Sequence, residues 1–416
     1  MTTQPDICLI TPGHVASTPR LVKSADALSE AGYSVHVVAG APFPPADRLD
    51  AEILSRAKWA YTRVNTRTGA AVFFRKVMRK LIRRRLQNPG TLSRGFAARA
   101  HLAESPNLVR SAVRIPARLF IGHSIAGLYV AAAAAGIRGC KHGFDIEDYH
   151  DAETDEAIAE PVERRVRFLL QSELLPGCSV LTCAAPLIGR KYKEDYNVDA
   201  TTLLNVFPLA QAPLAPVPPK SVNEDRPATF YWFSQTIGRG RGLENVIKVM
   251  GEMRTPAELH LRGFVSPEYA EALRAAARAA GLRRPIRFLE PGSPNDMARL
   301  AAPTDIGLSI EEGSPLNKDL CLSNKIFIYL LAGIPQLLSG TTAQKALAAE
   351  LPDAVILGEM CRAKETAVQL DAFFAHPETV SRSRLSAWNL GRTRFNWDIE
   401  KEILVRLVNG TLPLHR

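Results

Sequence analysis

Residues 320–340, LCLSNKIFIYLLAGIPQLLSG, read as one capped helix feeding one buried strand. Ser323 stands at the N-cap, where a hydroxyl can accept from the orphan N–H groups of the first turn. Asn324 and Lys325 open the helix, and Ile326, Phe327, Tyr329, Leu330 and Leu331 supply its apolar packing. Gly333 ends it and Pro335 forbids continuation, so 335–338 begins a strand. A helix N-terminus beside a lysine is a natural seat for phosphate. Without an anion, Lys325 opposes the helix dipole or snorkels to water.

The same alternation runs upstream. Strands are predicted at 229–233, 257–262, 286–289 and 306–310, with helices at 243–253, 267–280 and 295–301 between them. The first half repeats the pattern. A strand at 6–11 turns at Pro12-Gly13-His14 into a helix with Thr18 as N-cap and Pro19 at its first position. Leu21, Ala25 and Leu28 form its inner face, Gly32 ends it, and 34–38 is the next strand. Further strands at 117–121 and 142–146 flank a helix at 125–135. Such alternation makes parallel sheets covered by helices. Ligands bind beyond the carboxyl ends of such strands, which puts His14, His123 and His150 on one side of the first domain.

The 416 residues favour two domains, here 1–212 and 221–385, with a helical tail at 386–416. Residues 209–220, LAQAPLAPVPPK, read as the linker, and 381–407 as helical, carrying Trp388 and Trp397. Composition is that of a soluble globular chain, with 46% hydrophobic and 23% charged residues. The net charge of +10 suits an anionic partner, whether nucleotide, membrane surface or nucleic acid. Six scattered cysteines without a C-x-x-C pair fit reduced thiols and a cytoplasmic location, and argue against a zinc site or disulfide frame. No signal peptide is evident, and 119–137 reads as strand, turn and alanine-rich helix rather than a membrane span.

Four further segments carry chemistry. In 234–244, SQTIGRGRGLE, Gly238, Gly240 and Gly242 let backbone N–H groups approach an anion, and Arg239 and Arg241 add charge. The spacing is not G-x-G-x-x-G, so no dinucleotide cofactor is indicated, and the same residues also suit a solvated basic turn. In 310–313, IEEG, Glu312 offers a carboxylate acceptor and Gly313 an open backbone, in what reads equally as an acidic surface turn. In 144–153, FDIEDYHDAE, His150 is placed to hydrogen-bond hydroxyls with Asp148 and Glu153 near it, and no D-x-D metal motif appears. Residues 73–88, FFRKVMRKLIRRRLQN, form a basic amphipathic helix suited to an anionic membrane, through Arg75, Arg79 and Arg83, or to a solvated surface. No aromatic–basic interleaving points to nucleic acid.

The opening stretch resembles the donor-binding segment of glycosyltransferase family 4 (the group 1 glycosyltransferases), of the type NKIFEYLAAGIP. Arg241-Gly242 resembles that family's basic loop, Glu312-Gly313 its Glu-Gly turn, and 144–153 its segment of the type YDAHELxxE. The resemblance implies an α/β chain of GT-B fold: two Rossmann-like doubly wound domains facing a cleft, with a C-terminal helix crossing back. It implies a retaining, metal-independent, hexosyltransferase-type enzyme that uses a nucleotide sugar as substrate and no cofactor. Its catalytic residues are expected at His150, Glu312 and Asp148. Donor contacts are expected from Gly238, Arg239, Arg241, Gly242, Ser323, Asn324, Lys325 and Gly313, and acceptor contacts from Gly13, His14, Arg20 and His123. The acceptor is expected to be a glycan or a lipid-linked molecule, with polysaccharide biosynthesis as the setting and peripheral attachment to the inner membrane face. An epimerase of the same fold and a non-catalytic nucleotide-binding relative are the alternatives. The family carries a glutamate where this chain has Ile328. In the second helical turn that side chain is expected to face the nucleotide and leave the ribose hydroxyls without an acceptor.

Overall fold

The computed structural model describes residues 5–66, 70–85, 93–154, 160–351 and 353–414, so residues 86–88 of the basic segment lie outside them. The chain divides into two compact units, one of 1–203 with 401–416 and the other of 204–400.

The first unit runs β1 (Ile7–Thr11), α1 (Pro19–Glu30), β2 (Val35–Ala39), α2 (Asp47–Leu54), β3 (Ala60–Arg63), α3 (Ala70–Arg85), α4 (Arg94–His101) and α5 (Ser105–Val113). It continues with β4 (Leu119–His123), α6 (Ser124–Arg138), β5 (Lys141–Ile146), α7 (Pro161–Leu174), β6 (Cys178–Cys183), α8 (Pro186–Tyr196) and β7 (Thr201–Thr202). Its seven strands lie in the order β3-β2-β1-β4-β5-β6-β7, and every pairing is parallel. All five residues of β1 are buried, as a central strand covered on both faces requires. Cys8, Ile10, Phe120, Val130 and Ala134 form part of the core beneath α5 and α6.

The second unit runs β8 (Ala228–Ile237), α9 (Leu243–Glu252), β9 (Ala257–Val265), α10 (Pro267–Ala279), β10 (Arg287–Leu289), α11 (Met297–Ala301), β11 (Ile306–Ser309) and α12 (Leu316–Leu320). It continues with α13 (Asn324–Ala332), β12 (Gln336–Leu338), α14 (Thr342–Ala348), β13 (Val355–Leu357), α15 (Ala363–Ala375), α16 (Pro377–Thr393) and α17 (Trp397–Thr411), whose later turns belong to the first unit. Its six parallel strands follow the order β10-β9-β8-β11-β12-β13. Gly333 ends α13 with φ +71°, the left-handed conformation a glycine adopts without a Cβ penalty.

Two sequence expectations need correction. Residues 209–220 are not a free linker. Ala212 is buried against α11 and α13, and the carbonyls of Pro213 and Val217 accept from Arg392 and Arg384 at 2.9 Å each. Nor is the C-terminal helix expected at 386–416 a single one. Buried Asn396 donates to the Gly391 and Arg392 carbonyls at the end of α16 and accepts from the Ile399 N–H at the start of α17. One side chain thus caps both helices and splits them.

The segment weighed as a membrane span is β4 and α6, and no described helix is long and apolar enough to cross a membrane.

Candidate functional site

Strand order reverses between β1 and β4 in the first unit and between β8 and β11 in the second. Loops leaving adjacent strands diverge there and open a crevice at the carboxyl ends. The polar residues singled out in the sequence gather at these ends.

In the second unit, β8 leads into 238–242 and β11 into 310–313. Gly242 has φ +71°, and a Cβ there would sit 2.5 Å from Ile310 Cγ2. The glycine therefore lets the two loops meet. Glu312 lies beside the Gly240 backbone, 3.6 Å from where a Cβ would stand. Lys318 Nζ donates to the Gly240 carbonyl at 3.3 Å and the Glu311 N–H to Ser339 Oγ at 2.8 Å, fixing both turns. Gly313 has φ +74° and ends this turn.

Ser323 occupies the N-cap of α13, but its hydroxyl does not bond the helix. It accepts from Lys325 Nζ at 3.4 Å instead. Asn324 Oδ1 accepts from Asn205 at 2.8 Å. The Lys325 ammonium lies 5.2 Å above the Trp232 ring and 4.0 Å from Glu311, with its side chain only 12% exposed. Burial lowers its pKa from the ordinary 10.5, Glu311 works against that shift, and the nearby Arg241 guanidinium adds to it. Two cations thus share the head of a helix whose first N–H groups have no side-chain cap. An anion there would relieve both. Arg239 is turned elsewhere, 5.3 Å over the Tyr269 ring.

Ile328 does not face the site. It is 1% exposed and packs with Tyr231, Met297, Ala298 and Ala301 in the core. The expectation that it walls the nucleotide is therefore corrected: its position points inward, where an aliphatic side chain belongs.

In the first unit, Arg20 on α1 makes a bidentate pair with Asp145 on β5 at 2.8 and 2.6 Å and donates to the Leu203 carbonyl. Burial alone would raise the Asp145 pKa, but Arg20, His123 and the Thr182 hydroxyl bring it below the usual range. His123 ends β4, 1% exposed, with Nδ1 at 3.0 Å from Glu147 and 3.4 Å from Asp145. Its Nε2 is buried and has no hydrogen-bond partner among the described residues. His150 repeats the arrangement. Nδ1 meets Glu153 at 2.5 Å, Arg167 donates to Glu153 and to the His150 carbonyl, and Nε2 is unpaired among the described residues. Each imidazole is thus held through Nδ1 by a carboxylate and leaves a buried Nε2 with no partner among the described residues. The carbonyl of Asp148 lies 3.5 Å from the Tyr192 hydroxyl.

His14 is engaged at both nitrogens, with Asp50 at 2.6 Å on Nδ1 and the Phe43 N–H at 3.0 Å on Nε2. It anchors the loops after β1 and β2. The Gly13 N–H bonds Thr11 Oγ1 at 3.2 Å. Two groups, His14 with Asp47 and Asp50 and His123 with Asp145 and Glu147, bring metal-ligand atoms within 4.8 Å of one another. Asp50 already accepts from Ala16, and Asp145 from Arg20 and Thr182.

Helix α3 corrects a fourth expectation. Arg79 and Arg83 donate to the Ala100 carbonyl at 2.9 and 3.0 Å, and Arg83 also pairs with Glu160 and Glu163. Arg75 is half-buried, so the three arginines read as lipid-facing are turned toward the protein.

The sequence missed Arg167, Glu147, Lys318 and Trp232. Glu147 lies inside 144–153 and the other three outside the four segments; each pairing is set by the fold, not by local spacing.

Two parallel, doubly wound units, each with polar groups at its switch point, define the GT-B fold. Solved structures of that fold match nearly the whole chain. HepE of Anabaena, crystallised with UDP and glucose, is 14% identical with a TM-score of 0.69, covering 98% of this chain and 100% of its own. A glycosyltransferase of Rickettsia africae is 11% identical with a TM-score of 0.69, covering 99% and 100%. Sucrose-phosphate synthase of Thermosynechococcus elongatus is 12% identical at the same TM-score, covering 98% of each chain. No family model and no curated protein sequence matches.

Proposed function

We propose that the protein is a glycosyltransferase moving a hexose from a nucleotide sugar to a hydroxyl of a glycan or lipid-linked acceptor. The anomeric configuration is retained and no metal ion is needed, as the family resemblance implies. The observation that carries this reading is buried Lys325 at the uncapped head of α13, 5.2 Å over the Trp232 ring, with Glu312 beside the glycine loop that carries Arg241. Bond breaking puts charge on the leaving diphosphate. Lys325, Arg241 and the α13 N–H groups offset that charge where it develops. Glu312 accepts from donor-sugar hydroxyls, with Gly313, Gly238 and Gly242 leaving the backbone open.

The acceptor oxygen bonds to the anomeric carbon as the carbon–phosphate oxygen bond breaks, and its proton passes to the departing diphosphate. On the acceptor side, His123 and His150 order the carboxylates of Glu147 and Glu153 at the strand ends, while Arg20 and His14 hold the loops that carry the site. The setting proposed is polysaccharide synthesis at the cytoplasmic membrane face.

The test is incubation of the protein with a panel of UDP-, GDP- and ADP-sugars, with and without oligosaccharide or polyprenyl-phosphate-linked acceptors. Sugar transfer with release of nucleoside diphosphate is expected. An epimer formed from the nucleotide sugar alone would replace this reading with an epimerase, and binding without turnover would leave a non-catalytic relative.

A further inference from the structure

Helix α3 is turned inside out. At about 100° per residue, Phe73, Phe74, Val77, Met78 and Leu81 fall within an arc of roughly 140°. All five are exposed, from 39% at Val77 to 66% at Phe73. The opposite arc carries Arg79, Ile82 and Arg83. Ile82 is 7% exposed, and the two arginines grip the Ala100 carbonyl and the α7 carboxylates of Glu163 and its neighbour Glu160. A surface helix ordinarily buries its apolar stripe and shows its charges to water. Here the charges fasten the helix down and the stripe faces out. The Phe73 and Phe74 rings pack edge to face, 6.2 Å apart.

The rim is basic. Lys80, Arg84 and Arg85 are exposed, residues 70–85 contain no acidic residue, and the chain carries +10 overall. A second copy of this chain would bring like charges together along the stripe. An anionic bilayer offers acyl depth and phosphate charge in one plane, matching both features.

We infer that α3 lies flat in the headgroup layer of an anionic bilayer, with Phe73, Phe74, Val77, Met78 and Leu81 toward the acyl chains and Lys80, Arg84 and Arg85 on lipid phosphates. This deepens the membrane side of the proposed function. It does not depend on the donor site, so nucleotide binding measured on the same variants separates the two.

The experiment is sedimentation of the full chain with phosphatidylcholine vesicles and with vesicles that also contain phosphatidylglycerol. The wild type is expected to pellet with the anionic vesicles. Phe73→Ser with Phe74→Ser should lower partitioning about tenfold or more, because two large rings no longer leave water. Arg84→Ser with Arg85→Ser should also lower it, with a shallower dependence on salt. Phe74→Trp adds a direct probe whose emission should shift blue on anionic vesicles and be quenched by brominated acyl chains beyond the wild-type background. The proposal is overturned if the wild type binds no vesicles, if the Phe73/Phe74 variant binds as well as the wild type, or if emission of the introduced tryptophan does not change. A dimer in sedimentation velocity, abolished by the Phe73/Phe74 substitutions without any lipid binding, would overturn it in favour of self-association.

Discussion

Replacing Lys325 with methionine should have opposite effects on the empty and the liganded protein. Methionine keeps an unbranched stem over the Trp232 ring but removes the charge. In the empty protein the ammonium is a liability, since burial and Arg241 together outweigh Glu311 and lower its pKa from 10.5. Folding therefore disfavours the charged form, and Lys325→Met should raise the melting temperature of the empty protein. With a nucleoside diphosphate bound, the sign reverses. Of three ammonium donors, the structure commits one, to Ser323 Oγ at 3.4 Å. The remainder are available to phosphate oxygens, and a charge-assisted hydrogen bond contributes about 1.5–3 kcal/mol. The dissociation constant should then rise about 10- to 150-fold, by calorimetry at fixed salt with whichever nucleoside diphosphate binds the wild type. Arg241→Ala should weaken binding similarly. The pH dependence follows from the lowered pKa. The protonated lysine binds the diphosphate, so affinity is full below that pKa and falls as pH rises through it, before 10.5 is reached. Unchanged affinity in both variants would refute the phosphate site. A large loss of stability in empty Lys325→Met would refute the claim that the free site holds an unfavourable cation.

Ile328→Glu, which restores the residue usual in the resembled family, should cost about 3 kcal/mol or more in urea denaturation, because it buries a carboxylate among Tyr231, Met297 and Ala301. Tighter nucleotide binding in that variant would instead show that the side chain reaches the ribose. Arg20→Met leaves Asp145 buried without its ion-pair partner and should destabilise by about 3–5 kcal/mol, read by chemical denaturation. At Glu163, burial is outweighed by His101 and Arg83, and its carboxyl is lowered from 4.5 to about 2. That stability is full above pH 4.5 and lost as pH falls toward about 2. Glu163→Gln should therefore be less stable by roughly 3 kcal/mol near neutrality, with the difference vanishing in acid melts. Gly242→Ala meets both a left-handed φ and Ile310, so a stability loss of about 1–3 kcal/mol and weaker diphosphate binding are expected in thermal-shift titrations.

Much of the alternation of strands and helices was legible because the central strands and the helices that follow them carry their own period and stop signals. Ser323 to Gly333 is the plainest case, with cap position, apolar run and terminating glycine all local. The grouping of Arg241, Glu312 and Lys325 was legible too, since each follows a strand that ends at the same edge. What escaped was set by partners distant in sequence. The proline-rich 209–220 reads as a linker until Arg384 and Arg392, far along the chain, take its carbonyls. Ile328 reads as facing a ligand because turn counting gives a direction but not what α11 places opposite it. In α3 the arginines read as outward because charge ordinarily is; only α4 and α7 supply the carbonyl and carboxylates that draw them in. Residues 161–202 carry no assignment from sequence, although they hold α7, β6, α8 and β7. Cys178–Cys183 lacks the apolar density of β1.

The first unit is discontinuous: 1–203 is completed by 401–416. Tyr33 donates to the Leu412 carbonyl at 2.9 Å, and the Thr411 hydroxyl to the Ser179 carbonyl at 3.1 Å. On the ribosome, the early half of the chain emerges without these last turns, which follow only when the rest has been translated. The second unit has no such wait, because all of its residues lie in one run. The order of maturation is thus the reverse of the order of synthesis: the portion made first is finished last. A tag or truncation just past Leu412 therefore bears on the N-terminal sheet, not on the neighbouring sequence, and pulse-labelled nascent chains should gain protease resistance in the second unit before the first.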